Sequence, residues 1–162
     1  MYGNYNKKVK NATVCKADGI TFKSKLEMFC YLWFKSEGIQ LGYETECILI
    51  NEGFITDDKV NVWMRRKDRK SSEYHMHKVR TFAGMTYTPD FSLFAGEDLF
   101  YIETKGNPND AYPLRRKLLV SALERVADEL GCRCHFFEPH TKAEVKETCE
   151  IIKSIMNGTE EN

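Results

Sequence analysis

The sequence lacks the features that mark membrane, secreted and disordered proteins. No apolar run approaches the roughly 18 to 20 residues that a membrane-spanning helix needs, and residues 1–19 contain no apolar block like that of a secretion signal. There is no internal repeat, no low-complexity stretch and no linker rich in proline, glycine or serine. From 162 residues, of which 42% are hydrophobic, we predict one soluble, cytoplasmic domain without a membrane partner.

Net charge is also absent, because 24 basic residues balance 24 acidic ones. The distribution of these charges is nevertheless uneven. Residues 1–25 carry six lysines and one acid, residues 59–80 carry eight basic residues and two acids, and residues 138–162 carry six glutamates and three lysines. This asymmetry indicates a positive surface suited to a polyanion.

The six cysteines are not spaced as a disulfide framework. They occur in apolar segments, and we interpret them as reduced core residues. Cys132 and Cys134, with His135 and His140 close behind, leave a zinc site as an alternative. Two cysteines at alternate strand positions lack the CxxC spacing that such sites favour, so the core interpretation is preferred.

Three segments have the hydrophobic spacing of helices. The first is "SKLEMFCYLWFKSEG", which ends at Gly38 and repeats apolar residues at i, i+3, i+4 and i+7. The second has Pro113 in its first turn and ends at Gly131. Its apolar stripe comprises Leu119, Leu123, Val126 and Leu130. The third covers residues 142–156. Its apolar stripe comprises Val145, Cys149, Ile152 and Met156.

Alternating segments between the first two helices predict a β-rich middle, and "CRCHFFEP" predicts one further strand. The element order α-β-β-β-β-α-β-α predicts an α/β (α+β) fold in which helices flank a central mixed β-sheet. We expect residues 1–20 to form a flexible basic segment and residues 21–157 to form the single domain. A basic β-hairpin is expected at about residues 57–80.

The stretch "YTPDFSLFAGEDLFYIETKG" places charged residues in otherwise apolar strands. Alternation puts Glu103 and Lys105 on one face of the second strand, and the preceding strand can bring Asp90 alongside them. Two adjacent carboxylates repel unless a cation lies between them, and Mg²⁺ is bound by one or two carboxylates together with waters and phosphates. The alternative is a cross-strand salt bridge between Lys105 and either Asp90 or Glu103.

At these positions the sequence resembles the PD-(D/E)XK superfamily of metal-dependent nucleases. Pro89-Asp90 is followed thirteen residues later by Glu103-Thr104-Lys105. The resemblance implies a restriction-endonuclease-like core in which Asp90, Glu103 and the Thr104 carbonyl hold Mg²⁺, for which Mn²⁺ can substitute. It also implies that Lys105 positions or polarises the attacking water.

Glu27, in "SKLE", has two interpretations. Ser24 and Glu27 have the spacing of a capping box, and a helical wheel turns Glu27 towards the sheet. The string also resembles the opening of small phage-encoded endonucleases related to endonuclease I and Holliday-junction resolvases. The resemblance covers residues 22–131 and implies that Glu27 is a further catalytic and metal-site acid.

Two groups of basic residues are candidates for DNA binding. The first lies in the hairpin, interleaved with Trp63, Tyr74, His75 and His77, whose rings could stack on bases; it comprises Arg65, Arg66, Lys67, Arg69 and Lys70. The second opens the helix after the motif and comprises Arg115, Arg116 and Lys117. The alternatives are a solvated hairpin tip and a solvated first helical turn. The basic stretch of residues 63–78 is a local insertion rather than a feature of the resembled family.

These observations favour an Mg²⁺-dependent DNA endonuclease of phage or prophage DNA metabolism that acts on branched DNA as a homodimer, since symmetric cutting of two strands needs two sites. It would need no small-molecule cofactor. One alternative is a nucleic-acid-binding module of the same fold without catalysis. Another is a partner-binding domain whose charges are incidental.

Overall fold

The structure is a computed structural model that describes residues 13–68, 70–71, 73–106 and 111–158. Within these residues there are three helices, namely α1 (Lys25–Ser36), α2 (Tyr112–Leu130) and α3 (Lys142–Met156). The strands are β1 (Cys15–Ala17), β2 (Ile20–Phe22), β3 (Gly42–Tyr43), β4 (Ile48–Asn51), β5 (Phe54–Ile55), β6 (Val62–Lys67), β7 (Tyr74–Val79), β8 (Thr81–Phe82), β9 (Met85–Tyr87), β10 (Phe91–Ala95), β11 (Asp98–Ile102) and β12 (Arg133–Phe137). No helix in the described part of the chain is long and apolar enough to cross a membrane.

A four-stranded sheet in the order β12-β11-β10-β3 forms the centre of the fold. β11 runs parallel to β12 and antiparallel to β10, and β10 runs antiparallel to β3. The sheet is therefore mixed, as the sequence predicts. All five residues of β11, "DLFYI", are buried, which is typical of a central strand that is covered on both faces.

Helices cover both faces of this sheet. Phe100 and Ile102 pack on one face with side chains of α1 and α3, including Phe34 and Ile152. Leu99 and Tyr101 pack on the other face with residues of α2. The result is a three-layer mixed α and β fold, so the predicted flanking helices are confirmed.

The predicted helix bounds hold closely, but two side chains differ from the predicted apolar stripes. Met156 is exposed, and Ile155 is buried in its place at the end of α3. Leu130 is also exposed at the last turn of α2. Gly131 ends α2 in the left-handed conformation with φ of 61°, as expected for a glycine stop.

The cysteines are all free thiols. Cys30 and Cys149 lie in the core between α1 and α3, whereas Cys132 and Cys134 pack on the opposite face of the sheet. His135 stacks on Phe100 at 4.9 Å between ring centroids, away from these two thiols. The core interpretation holds for Cys30 and Cys149, whereas Cys15, Cys132 and Cys134 are half-buried and Cys47 is exposed.

The ordered body begins earlier than the predicted residue 21. Residues 1–12 of the expected flexible segment lie outside the described residues, but β1 pairs antiparallel with β2. Asp18 and Gly19 form the turn with φ of 49° and 78°, and an Asp-Gly turn with two positive φ angles is favoured between antiparallel strands. Phe22 then anchors this hairpin in the core.

The predicted basic hairpin is confirmed as β6 paired with β7, but it is the outer part of a longer structure. β4 pairs with β9 and β5 pairs with β8, so residues 48–67 run outward and residues 74–87 return beside them. We call residues 48–87 the arm. A Cβ on Gly53 would lie 2.8 Å from the Phe82 carbonyl oxygen, so the two strands approach closely where the first two ladders meet.

Candidate metal and catalytic site

The candidate site lies at the carboxyl end of β11, where residues 103–105 continue the strand. The Glu103 and Lys105 amides donate to the carbonyl oxygens of Phe137 and Pro139 at 2.9 and 3.0 Å. These bonds fix the segment against the chain that follows β12. Phe91 pairs with Ile102, so Asp90, one residue before Phe91, lies opposite Glu103, one residue after Ile102.

Hydrogen bonds join the Asp90 and Glu103 segments reciprocally. The Thr104 amide and hydroxyl donate to Asp90 Oδ2 at 2.8 and 2.7 Å, and the Asp90 amide donates to Glu103 Oε2 at 3.2 Å. In an extended chain the N–H and C=O groups of one residue point to the same side. The Thr104 carbonyl therefore faces the same side as the Thr104 amide, towards Asp90. The structure therefore brings Asp90, Glu103 and the Thr104 backbone together, as the motif predicts.

Lys105 forms an ion pair with Glu103. Its ammonium also lies 4.4 Å from the centroid of the Tyr112 ring, a distance at which a cation is attracted to an aromatic face. The salt bridge considered as an alternative is thus present. It is not on an open sheet face, however, because Glu103 is only 5% exposed and Tyr101, on the same side of the strand, is covered by α2.

Glu27 is 6% exposed and faces the sheet, as the helical wheel predicts. Its amide donates to the Ser24 hydroxyl at 3.1 Å, so the N-cap is present. Its carboxylate accepts from the Lys23 amide at 2.9 Å and from the Tyr43 hydroxyl at 2.7 Å. In a capping box the Glu27 carboxylate would accept from the Ser24 amide, but here it accepts from the Lys23 amide, one residue earlier. The bond from Tyr43 also joins Glu27 to β3, which lies beside β10.

Burial and two nearby carboxylates disfavour the ionised form of Asp90. Burial, followed by the neighbouring carboxylates of Glu103 and Glu27, raises the pKa of Asp90 to about 7 against the hydrogen bonds from Thr104. The three carboxylates thus influence one another electrostatically. Neighbouring buried carboxylates, one of which has a pKa well above its ordinary value, are oxygen donors that a divalent cation fits, so the residues at this site are compatible with Mg²⁺.

The described residues contain no group of three or more His, Cys, Asp or Glu side chains close enough to hold one metal ion. A site built from Asp90, Glu103 and a backbone carbonyl has only two such side chains. Glu27 would then contribute through a bridging water.

The raised pKa of Asp90 predicts a pH-dependent stability in EDTA. A carboxyl with a higher pKa in the folded protein binds its proton more tightly when folded, so this stabilisation is complete below the ordinary pKa of 3.8 and is lost as the pH rises to about 7. Asp90→Asn removes the titration. Between pH 4 and 7 the wild-type free energy of unfolding should fall relative to that of the variant, by on the order of a few kcal/mol. Urea unfolding of both proteins measures this, and a constant difference would contradict the electrostatic account.

A second group of polar residues adjoins the site, and their assembly was not expected from the sequence. Glu138 accepts hydrogen bonds from the Tyr112 hydroxyl at 2.7 Å and from Arg116 at 3.2 Å, and it lies 3.1 Å from His140 Nε2. Burial and the nearby Glu103 carboxylate raise the pKa of Tyr87 above its usual range. This group depends on the parallel pairing of β11 with β12, which no local sequence signal reveals.

The expected DNA-binding residues differ in their surroundings. Arg116 is paired with Glu138, and Arg115 and Lys117 are exposed on the same turn of α2. On the arm, Arg65, Arg66, Lys67 and Lys70 are exposed. Arg69 lies outside the described residues. The arm returns through Tyr87, three residues before Asp90, so it is anchored next to the site.

Comparisons with protein families, with curated proteins and with solved structures found no match to this chain.

Proposed function

We propose that this chain is a metal-dependent endonuclease that hydrolyses phosphodiester bonds in DNA and that its core is of the restriction-endonuclease type. The observation that carries the proposal is the pairing of Asp90 with Glu103 across two strands, with Lys105 in contact with Glu103. A buried acid pair of this kind, with one pKa strongly raised, is typical of a functional site.

In the proposed site, Asp90, Glu103 and the Thr104 carbonyl would hold Mg²⁺, and Glu27 would act through water. The bound ion would supply Lewis acidity, lowering the pKa of a water and offsetting charge on the phosphate. The chain's own task is to fix these oxygens, and the two bonds from Thr104 to Asp90 do so. Lys105 would orient the attacking water and stabilise the charge that develops on the phosphate.

The surroundings of Lys105 suit this role. Its ion pair with Glu103 and the Tyr112 ring hold the ammonium at the edge of the acid pair. The Lys105 side chain is 23% exposed, so it can reach a phosphate that approaches from solvent.

The exposed basic residues of the arm and of α2 support DNA as the substrate, because lysine and arginine side chains neutralise phosphates. Branched DNA as the substrate and a role in phage or prophage DNA metabolism are proposed from the sequence resemblance alone. Dimeric assembly is proposed because symmetric cutting of two strands needs two sites. A non-catalytic nucleic-acid-binding module of the same fold is the competing proposal, in which the acid pair serves only stability.

A cleavage panel tests the proposal. Linear, supercoiled and four-way-junction DNA are incubated with the full chain in Mg²⁺, in Mn²⁺ or in EDTA. We expect cleavage of at least one substrate with either metal and none in EDTA, and Asp90→Asn should cut none. Binding without cleavage under every condition would favour the non-catalytic module, and cleavage by Asp90→Asn at the wild-type rate would indicate a contaminating nuclease.

A further inference from the structure

The outer ladder of the arm has two chemically different faces. Residues directly opposite in a strand pair share a face, and the register pairs Trp63 with Lys78, Arg65 with Met76 and Lys67 with Tyr74. These six residues form one face, which we call the aromatic-basic face. The Arg65 guanidinium lies 4.1 Å from the Tyr74 ring centroid, as expected for diagonal neighbours on the same side.

All six residues of the aromatic-basic face are exposed. Trp63, Tyr74 and Met76 are 58%, 55% and 59% exposed, and no third strand of the described residues joins β6 and β7. Large apolar side chains are rarely left in water in a row, so such a face indicates a binding surface. Its three cations and lack of any acid indicate that the partner is an anion.

The opposite face is different. It comprises Val62, Met64, Arg66, His75, His77 and Val79. Val79 is buried, and Val62 and His77 are partly buried. Arg66 is the single arginine or lysine of this face, so neighbouring residues of one strand, Arg65 and Arg66, point to surfaces of unlike chemistry.

We propose that the aromatic-basic face binds a strand of DNA with unpaired bases. Each of its three rungs offers one cation and one apolar side chain, and rungs on one face of a strand repeat about every 6.8 Å. Lysine and arginine can then meet successive phosphates while Trp63 and Tyr74 stack on bases, which is how proteins bind single strands. Paired bases of a duplex are stacked internally and offer no free ring face, so duplex DNA would use only the cations.

The inference rests on the proposed function and narrows it to a DNA substrate that contains unpaired bases. The arm is connected to the candidate site along the chain, because its returning strand β9 ends at Tyr87, three residues before Asp90. A strand held on the arm would therefore lie on the segment that leads directly into the candidate site.

Binding in EDTA tests the inference separately from catalysis. A labelled oligothymidylate and a matched blunt duplex are titrated with the full-length protein. Trp63→Ala should weaken single-strand binding by about 5- to 100-fold, the range of one lost stacking contact, and should change duplex binding by less than about 2-fold. Arg65→Ala should lower the single-strand log-log salt slope by about 0.7. The control Lys35→Ala, which removes an exposed cation paired with Asp18 away from the arm, should leave that slope unchanged.

Fluorescence gives a second measurement. The sequence has two tryptophans, and Trp33 lies in α1 with an indole N–H that has no hydrogen-bond partner among the described residues. Trp33→Phe therefore leaves Trp63 as the single reporter without removing a hydrogen bond. Oligothymidylate should quench its emission by stacking, and the duplex should not.

Equal losses of single-strand and duplex binding in Trp63→Ala, equal effects of Arg65→Ala and Lys35→Ala on the salt slope, or unquenched Trp63 emission would overturn the inference. Each of these results would indicate that the hairpin binds DNA through its positive charge alone, without selecting unpaired bases. The proposed function would stand if the protein still cut DNA with Mg²⁺, so the two failures are distinguishable.

Discussion

Asp90→Asn and Glu103→Gln should each reduce DNA cleavage by about 10³-fold or more while the protein remains folded. The loss reflects the several kcal/mol of transition-state stabilisation that a bound metal ion supplies. The fold should persist because an amide oxygen at position 90 can still accept the bonds from Thr104. Single-turnover cleavage rates and circular dichroism on the same preparations measure both effects.

The matched control for these two variants is Glu97→Gln. Glu97 lies in the turn at the other end of the β10–β11 hairpin and is exposed, so its amide changes the charge of the protein equally without reaching the site. It should cut DNA at the wild-type rate. If Asp90→Asn cut as fast as Glu97→Gln, the acid pair would have only a structural role.

Lys105→Ala should lower the cleavage rate by about 10²- to 10³-fold, the cost of removing one preorganised charge-stabilising group. DNA affinity should change little, because one phosphate contact among several is lost. The melting temperature in EDTA should fall, since the buried Glu103 carboxylate loses its partner. Excess Mg²⁺ should reduce that difference, because a bound cation compensates the same carboxylate.

A matched control for Lys105 is Lys35. Its ammonium pairs with Asp18 at 2.6 Å and lies 6.0 Å from the Tyr31 ring centroid, so Lys35→Ala removes contacts of the same kind away from the site. It should leave cleavage unchanged and should show no Mg²⁺-dependent recovery of the melting temperature. A stable Lys105→Ala protein that cuts at the wild-type rate would refute the catalytic assignment.

Hydrophobic periodicity predicts the central part of this fold well. The continuous apolarity of "DLFYI" predicts a strand buried on both faces, and β11 is such a strand. The positions at which α1 and α3 begin follow from Ser24 and Thr141, which cap their first turns. These features depend on residues that are close in sequence, so a single sequence is enough to predict them.

Features that depend on distant pairing were not predictable. The arm extends well beyond residues 57–80 because three short ladders lie in series, and the close approach at Gly53 interrupts the alternation that would have revealed them. The contact of Glu138 with Tyr112 and Arg116 joins segments more than twenty residues apart. The Asp18-Gly19 turn, by contrast, carried a local hairpin signal that the interpretation of residues 1–20 as a flexible basic segment overlooked.

The candidate site also combines local features, which the sequence predicts, with features of distant pairing, which it does not. Spacing alone predicts that Asp90 and Glu103 meet, because a short hairpin joins their strands. The orientation of Glu27 follows from the helical wheel, but its bond to Tyr43 requires β3 to lie beside β10. The sequence also does not reveal that Lys105 lies over Tyr112, since the helix that carries this ring is placed by packing against the sheet.

The most direct measurement is the position of Mn²⁺ in crystals of the full chain, located by its anomalous scattering. The account predicts one ion between the carboxylates of Asp90 and Glu103, with the Thr104 carbonyl as a further ligand, and predicts its loss in Asp90→Asn crystals soaked identically. Carboxylates of Asp90 and Glu103 that remain free of metal at saturating Mn²⁺, with Lys105 still paired to Glu103, would contradict the proposed metal site.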